Sequence, residues 1–462
     1  MSIYPLAAIA PDDGSQATAL HGVAAADWAA FAAEKGVAAW AAAQDFKAQS
    51  GRILLLPGET GLAGAVLGLG ANDDLMIYGA AAEKLPAGTY RIAGTPGAPG
   101  IYPGLGFALG AYAYTDFKPS KRRPGPRLLV AEETYAEAAR LAEGVCLARD
   151  LVNAPSNVMG PAELEAAARR VAEKHGASVR VVTGDDLIPG NYPMIHAVGR
   201  ASVRAPRLID ITWGDPNTPR ITLVGKGVCF DSGGLDIKSA AGMLMMKKDM
   251  GGAAAMIGLA HMIMDAKLLV RLRVFIPAVE NAIGSDAYRP GDVLTSRKGL
   301  TVEIGNTDAE GRLILADALA EADDDTPELL VCMATLTGAA RVATGFELPP
   351  VFTHDEALAA DLAALALSEQ DPMWRLPLWK NYESWIDGKV ADVTNSADSA
   401  YAGSITAALF LNRFVTQTKS FAHFDVAAWT DKPRPGKPAG ADAHCIRALY
   451  RLLQNRFGTK TC

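Results

Sequence analysis

Two hydrophobic periods alternate along the chain. At 23–46 (VAAADWAAFAAEKGVAAWAAAQDF) apolar positions recur with a helical spacing, while the short apolar runs at 52–56 and 75–78 predict strands. A basic, proline-rich segment at 118–127 (KPSKRRPGPR) ends this pattern, and the amphipathic stretch at 132–150 predicts a connecting helix. Beyond it, apolar runs at 178–182, 207–213, 221–230, 272–279, 301–305, 328–336 and 420–427 predict strands, and 162–174, 251–264 and 312–322 carry helical periods. Strands that are apolar on both faces, with helices between them, predict a mostly parallel central sheet flanked by helices. Sheets of that kind place their sites beyond the strands' carboxyl ends. The expected architecture is α/β in two domains: a small N-terminal one over 1–130, a connecting helix over 131–152, and a larger C-terminal one over 153–462. No internal repeat is evident.

Composition supports an ordered chain and narrows its partners. With 462 residues, 50% hydrophobic and 21% charged, the chain is too long for one usual core and has the balance of a folded globular protein. The net charge of -7 argues against general affinity for nucleic acid or anionic membrane, and Lys121, Arg122, Arg123 and Arg127 read as a solvated loop. Five cysteines without a CxxC pair suit a reducing compartment. The N-terminus has no basic region ahead of an apolar run, so the expected location is the cytoplasm. The uncharged stretch at 92–115 is broken repeatedly by Gly and Pro and reads as buried loops and turns, with no membrane span.

Candidate chemistry gathers at two strand exits. The segment VGKGVCFDSGGLDIKSAAGMLMMKKDMGGAAAM (224–256) puts Lys226 inside an apolar run, Asp231 at its exit, Lys238 in the loop beyond and Asp249 before a Gly-Gly that opens a helix. A buried lysine needs a partner, and a structural ion pair with Asp231 is one reading. The segment VEIGNTDAEGR (302–312) repeats the form with Asp308, Glu310 and Arg312. If both exits share one sheet edge, Asp231, Asp249, Asp308 and Glu310 converge, and four carboxylates repel unless protonated or bridged by cations. Oxygen-rich ligation without paired histidines suits Mn²⁺, Mg²⁺ or Zn²⁺, and two such ions activate water for hydrolysis. Lys226 would touch a metal only as a neutral amine, whereas Lys238 and Arg312 could stabilise an oxyanion or hold an anion as cations. Alternation along the strand exit would send Asp308, Glu310 and Arg312 to one side.

Other motifs carry less. GGLDIKS at 233–239 lacks the phosphate-loop spacing, no HExxH occurs, and Gly64, Gly68 and Gly70 read as tight-turn residues. His423 reads as packed or hydrogen-bonded. Met243, Met245 and Met246 suit either a core or an apolar substrate pocket.

GKGVCFDSGGLDIK, MKKDMGG and NTDAEGRLILADAL, with RDLVNAPSN, ATLTGAA and AGSITAALFL in the same order, resemble the signature segments of the leucyl aminopeptidases, a family of dinuclear-metal exopeptidases. The resemblance spans roughly residues 145 to 430. It implies one tightly held metal on Lys226, Asp231, Asp249 and Glu310, and an exchangeable one on Asp231, Asp308 and Glu310. It further implies that Lys238 binds the scissile carbonyl and its oxyanion, and that Arg312 holds a bicarbonate acting as general base. Met246, Thr335 and Gly338 would shape the pocket for the first side chain, with the Leu336 backbone orienting a peptide that has a free N-terminus. Leu or Met preference, a macro-like N-terminal domain and a homohexamer follow by the same analogy. The segment GADAHCIRALYRLL departs from the family pattern. Two other readings stay open: a DNA-binding regulatory role, known for some family members, and hydrolysis of phosphate esters at the same metals.

Overall fold

The chain folds as two compact units, Met1–Cys146 with Thr430–Gly440, and Leu147–Trp429 with Ala441–Cys462. The computed structural model describes residues 7–59, 61–94, 100–118 and 125–458. The division falls inside a continuous helix, Glu132–Asn153, and the second unit is interrupted by Thr430–Gly440.

The first unit is built on a six-stranded sheet in the order Ile9–Pro11, Pro126–Val130, Gly88–Ile92, Thr18–Ala24, Leu62–Gly70, Ile53–Pro57. All its pairings are parallel except the last, at the Ile53–Pro57 edge. Two sequence expectations fail here because glycine, expected as a breaker, permits close packing, and two more fail on element type. Gly64 and Gly68 lie inside the strand Leu62–Gly70, where a Cβ on Gly68 would come within 2.2 Å of Gln49 O. The stretch at 92–115 contains a buried helix, Tyr102–Gly110, and a Cβ on Gly110 would come within 2.4 Å of Gly79 in the helix Gly79–Lys84. The expected strand at 75–78 is a turn leading into that helix, held by Met76 N donating to Asp74 Oδ1 at 2.8 Å. The helical pattern at 23–46 resolves into the end of a strand and two short helices, Trp28–Glu34 and Ala38–Ala43. Lys121, Arg122 and Arg123 lie outside the described residues.

The second unit carries a nine-stranded sheet ordered Trp374–Arg375, Pro350–Phe352, Phe421–Asp425, Leu329–Ala334, Arg220–Gly225, Arg271–Asn281, Arg207–Trp213, Ser178–Thr183, with Gly227–Asp231 added beside Arg271–Asn281. Its middle is parallel, as the continuous apolar runs require; the pairings on either side of that middle are antiparallel, and the outermost pair, Trp374–Arg375 with Pro350–Phe352, is parallel again. The helices Gly251–Asp265 and Glu310–Asp324 are buried along most of their length against it. Gly252 permits this approach, since a Cβ there would sit 2.1 Å from Met333 O. The expected strand at 301–305 is shorter, Thr301–Glu303, and belongs to a separate three-stranded sheet with Val293–Thr295 and Val393–Thr394.

The single run expected at 221–230 is two strands, Arg220–Gly225 and Gly227–Asp231, separated at Lys226. Lys226 N donates to Met333 O and its carbonyl accepts from Ala253 N, so the break is pinned from both sides. It aims a lysine at the sheet's carboxyl edge, where Asp231, Asn281, Thr335 and Asp425 also stand at or just beyond strand ends. Among the described residues no helix is long and apolar enough to cross a membrane.

Candidate metal centre

An ammonium group as buried as that of Lys226 is stable only when compensated. Its Nζ lies 2.6 Å from Asp249 Oδ2 and 3.0 Å from Glu310 Oε1, and donates to Thr335 O at 2.9 Å. Burial by itself favours the neutral amine, but Asp249, Glu310 and Asp231 outweigh it and hold the pKa above the ordinary lysine value. The two residues that sequence reading paired, Lys226 and Asp231, are thus partners of different groups. The crossing of Lys226 over the first turn of Glu310–Asp324 requires Gly311, where a Cβ would lie 2.4 Å from Lys226 Cε.

Asp231 ends its strand, and Gly233 and Gly234 follow with φ of +89° and +66°, a left-handed turn that only glycine adopts easily. The turn brings Lys238 back, so that its Nζ lies 2.8 Å from Asp231 Oδ2 and 2.5 Å from Asp308 Oδ1. Asp231 Oδ1 accepts from Gly233 N and Asn281 Nδ2, both at 2.9 Å. Thr307 ties the two exits together: its Oγ1 donates to Gly233 O and its amide to Asp236 Oδ2, each at 2.7 Å.

At the second exit, Asp308 lies in a turn and Glu310 opens the helix Glu310–Asp324. Strand alternation therefore does not explain how Asp308, Glu310 and Arg312 are directed. The helix start does, and Arg312 is fixed separately, its Nη1 donating to Asn395 O at 2.6 Å. Asp231, Asp308 and Glu310 each offer one oxygen, all within 4.8 Å of one another. Burial, reinforced by Asp231, raises the pKa of both Glu310 and Asp308 in spite of Lys226 and Lys238. Asp249 stands beside this trio, joined through Lys226, and its Oδ1 accepts from Thr335 Oγ1 at 2.8 Å. Two ammonium groups already occupy spaces between carboxylate pairs, and the donors are hard oxygens with no paired histidine. The set fits divalent cations.

Lys226, Asp231, Lys238, Asp249, Asp308 and Arg312 open on a cavity of about 280 Å³, also lined by Met246, Thr335, Leu336 and Gly338. Met246 is buried there, whereas Met243 and Met245 are only partly buried. Asp425 shapes the wall by accepting from Leu336 N and Thr337 N, both at 3.1 Å, and from Thr337 Oγ1 at 2.6 Å. Sequence reading missed Asn281, Asn395 and Asp425, as well as the cavity residues Lys248 and Arg341. Asp425 left a signal as a charge inside the apolar run at 420–427, and Asn281 a weaker one just past the run at 272–279. Burial pushes Lys248 down to about 8. His423 is buried and stacks on Phe352 with ring centroids 6.0 Å apart, and neither of its ring nitrogens has a hydrogen-bond partner among the described residues.

A two-unit α/β protein with buried carboxylates and lysines at the carboxyl edge of a parallel sheet has the build of a metallohydrolase. Residues 146–450 match the catalytic domain of the cytosol aminopeptidase family, and residues 18–130 match the M17 aminopeptidase N-terminal domain. The chain belongs to the cytosol aminopeptidase family and is a metallo-aminopeptidase. It is 40% identical over 389 residues to a probable cytosol aminopeptidase of Sinorhizobium medicae, covering 79% of this chain and 78% of that protein. A probable cytosol aminopeptidase of Roseiflexus castenholzii is 41% identical over 368 residues, covering 76% and 75%. The solved cytosol aminopeptidase of Coxiella burnetii superposes with a TM-score of 0.93 at 41% identity, covering 97% of this chain and 99% of that one. The bottromycin maturation enzyme BotP, solved in complex with Mn, gives a TM-score of 0.86 at 31% identity, covering 96% and 100%.

Proposed function

We propose that this metallo-aminopeptidase removes the first residue from peptides with a free N-terminus, Leu or Met preferred, at a centre of two divalent cations. Lys226, Asp231, Asp249 and Glu310 would hold one cation, and Asp231, Asp308 and Glu310 the other. The observation that carries this reading is the gathering of Asp231, Asp308 and Glu310 oxygens within 4.8 Å, bounded by two ion-paired lysines. Mn²⁺ or Zn²⁺ suits the donors, with Mg²⁺ an option at the exchangeable position, and the Mn complex of BotP favours Mn²⁺. When bound, the ions supply a water of lowered pKa and polarise the scissile carbonyl.

The chain's own residues position the peptide and manage charge. Lys238, which lies between Asp231 and Asp308, would donate to the oxyanion that develops from the carbonyl. Lys226 would serve as a ligand only as the neutral amine, its proton passing to solvent. Arg312 would hold a bicarbonate, the general base implied by the family resemblance. Met246, Thr335 and Gly338 bound the space for the first side chain, and the Leu336 backbone, held by Asp425, orients the peptide. Apolar pockets separate neighbouring aliphatic side chains by only about 1–3 kcal/mol, hence broad specificity. Kinship with cytosol aminopeptidases supports action in the cytoplasm, and the resemblance supports a homohexamer.

Metal-loaded protein is expected to release Leu from Leu-amide and a Leu anilide, to lose this activity on chelation and to regain it with Mn²⁺ or Zn²⁺. Free-amino peptides left intact by metal-loaded protein would overturn the reading.

A further inference from the structure

The short 3-10 helix Met246–Met250 carries two successive lysines with different fates. Lys247 is satisfied: its Nζ donates to Asn153 O at 2.7 Å and lies 5.8 Å from the centroid of the Trp429 ring. Lys248 is only 4% exposed, lines the substrate cavity, and has no ion pair or side-chain hydrogen bond among the described residues. A buried ammonium without a counter-charge is costly, so its position calls for one. The neighbouring carboxylates are committed elsewhere. Asp249 serves Lys226 and Thr335, and Asp425 accepts from Leu336 N, Thr337 N, Thr337 Oγ1 and Ser404 Oγ. A second cation, Arg341 on the helix Gly338–Thr344, lines the same cavity, also without a carboxylate partner among the described residues.

The cavity is therefore divided by charge. Its carboxylates pair with Lys226 and Lys238, while Lys248 shares a 3-10 helix with Met246 and Arg341 shares a helix with Gly338, residues assigned above to the substrate's first side chain. Resting on that aminopeptidase reading, the geometry points to Lys248, assisted by Arg341, as a specificity residue that receives a carboxylate on the side chain of the residue to be released. Peptides beginning with Glu or Asp are then substrates beside those beginning with Leu or Met. A carboxylate could also come from the C-terminus of a dipeptide, and the test separates the two sources.

Wild-type enzyme and the variants Lys248→Met and Lys248→Arg are assayed on Glu, Gln and Leu anilides, and on Leu-Gly against Leu-Gly-amide. Wild type is expected to favour Glu over Gln by about tenfold or more in kcat/KM, as one charged hydrogen bond in a dry pocket allows. In Lys248→Met the ratio of Glu to Leu falls by about the same factor, chiefly through KM, and Lys248→Arg retains most of it. Wild type that releases Leu but treats Glu no better than Gln would overturn the inference, as would a Lys248→Met variant that loses Glu and Leu equally. A Lys248-dependent preference for Leu-Gly over its amide would overturn the side-chain assignment in favour of the dipeptide terminus. Failure to release Leu as well would instead sink the aminopeptidase reading on which the inference stands.

Discussion

Glu310→Ala is expected to empty at least one metal position and to abolish measurable turnover. Glu310 is 1% exposed, begins its helix, and faces both Lys226 and the oxygens of Asp231 and Asp308. In the proposed centre it is one of two carboxylates serving both cations, so its loss should exceed the roughly 10–100-fold typical of groups that only support a ligand. The removal also leaves Lys226 with Asp249 as its remaining close carboxylate, which favours the ammonium less and disturbs the core around it. Glu310→Gln controls for the packing part of this, because it keeps the volume while removing the same charge. Metal analysis beside turnover on folded protein checks the prediction, and metal content near that of wild type in both variants would refute the shared role.

Lys238→Met should behave in the opposite way toward metal. Its ammonium lies between Asp231 and Asp308, so removing it takes a competing positive charge away from those two carboxylates. Metal content is expected to hold or rise while kcat falls by about 10²–10³-fold, the cost typical of losing one oxyanion donor. The split between the two variants is informative: one loses metal and turnover together, the other loses turnover alone. If Lys238→Met lost its metal, or changed only KM, the oxyanion role would fall.

The gathering of Asp231, Asp308 and Glu310 was legible in the sequence because each exit announces itself locally. An apolar run, a glycine and a carboxylate occur together at Gly227–Asp231 and again ahead of Glu310. What joins the exits is non-local and leaves little trace: Asn281 reaches Asp231 from another strand, Thr307 bridges the loops, and Asn395 fixes Arg312 from 83 residues away. The break at Lys226 was hidden because GKG inside an apolar run looks like a continuous strand. It arises from backbone bonds to Met333 and Ala253, which no local pattern encodes. In the N-terminal unit the difficulty was glycine itself, since Gly68 and Gly110 serve close backbone approach and resemble turn residues in a sequence. Lys248 escaped notice because KK reads as a solvated pair, and only the helix geometry turns one lysine into the cavity.

The most direct test is to titrate chelator-stripped protein with Mn²⁺ while following bound metal and Leu-amide hydrolysis on the same sample. Two strand exits sharing Asp231 and Glu310 predict activity that is absent without metal and reaches its plateau at two ions bound per chain. Full activity at one ion, or activity in protein that holds none, would contradict it.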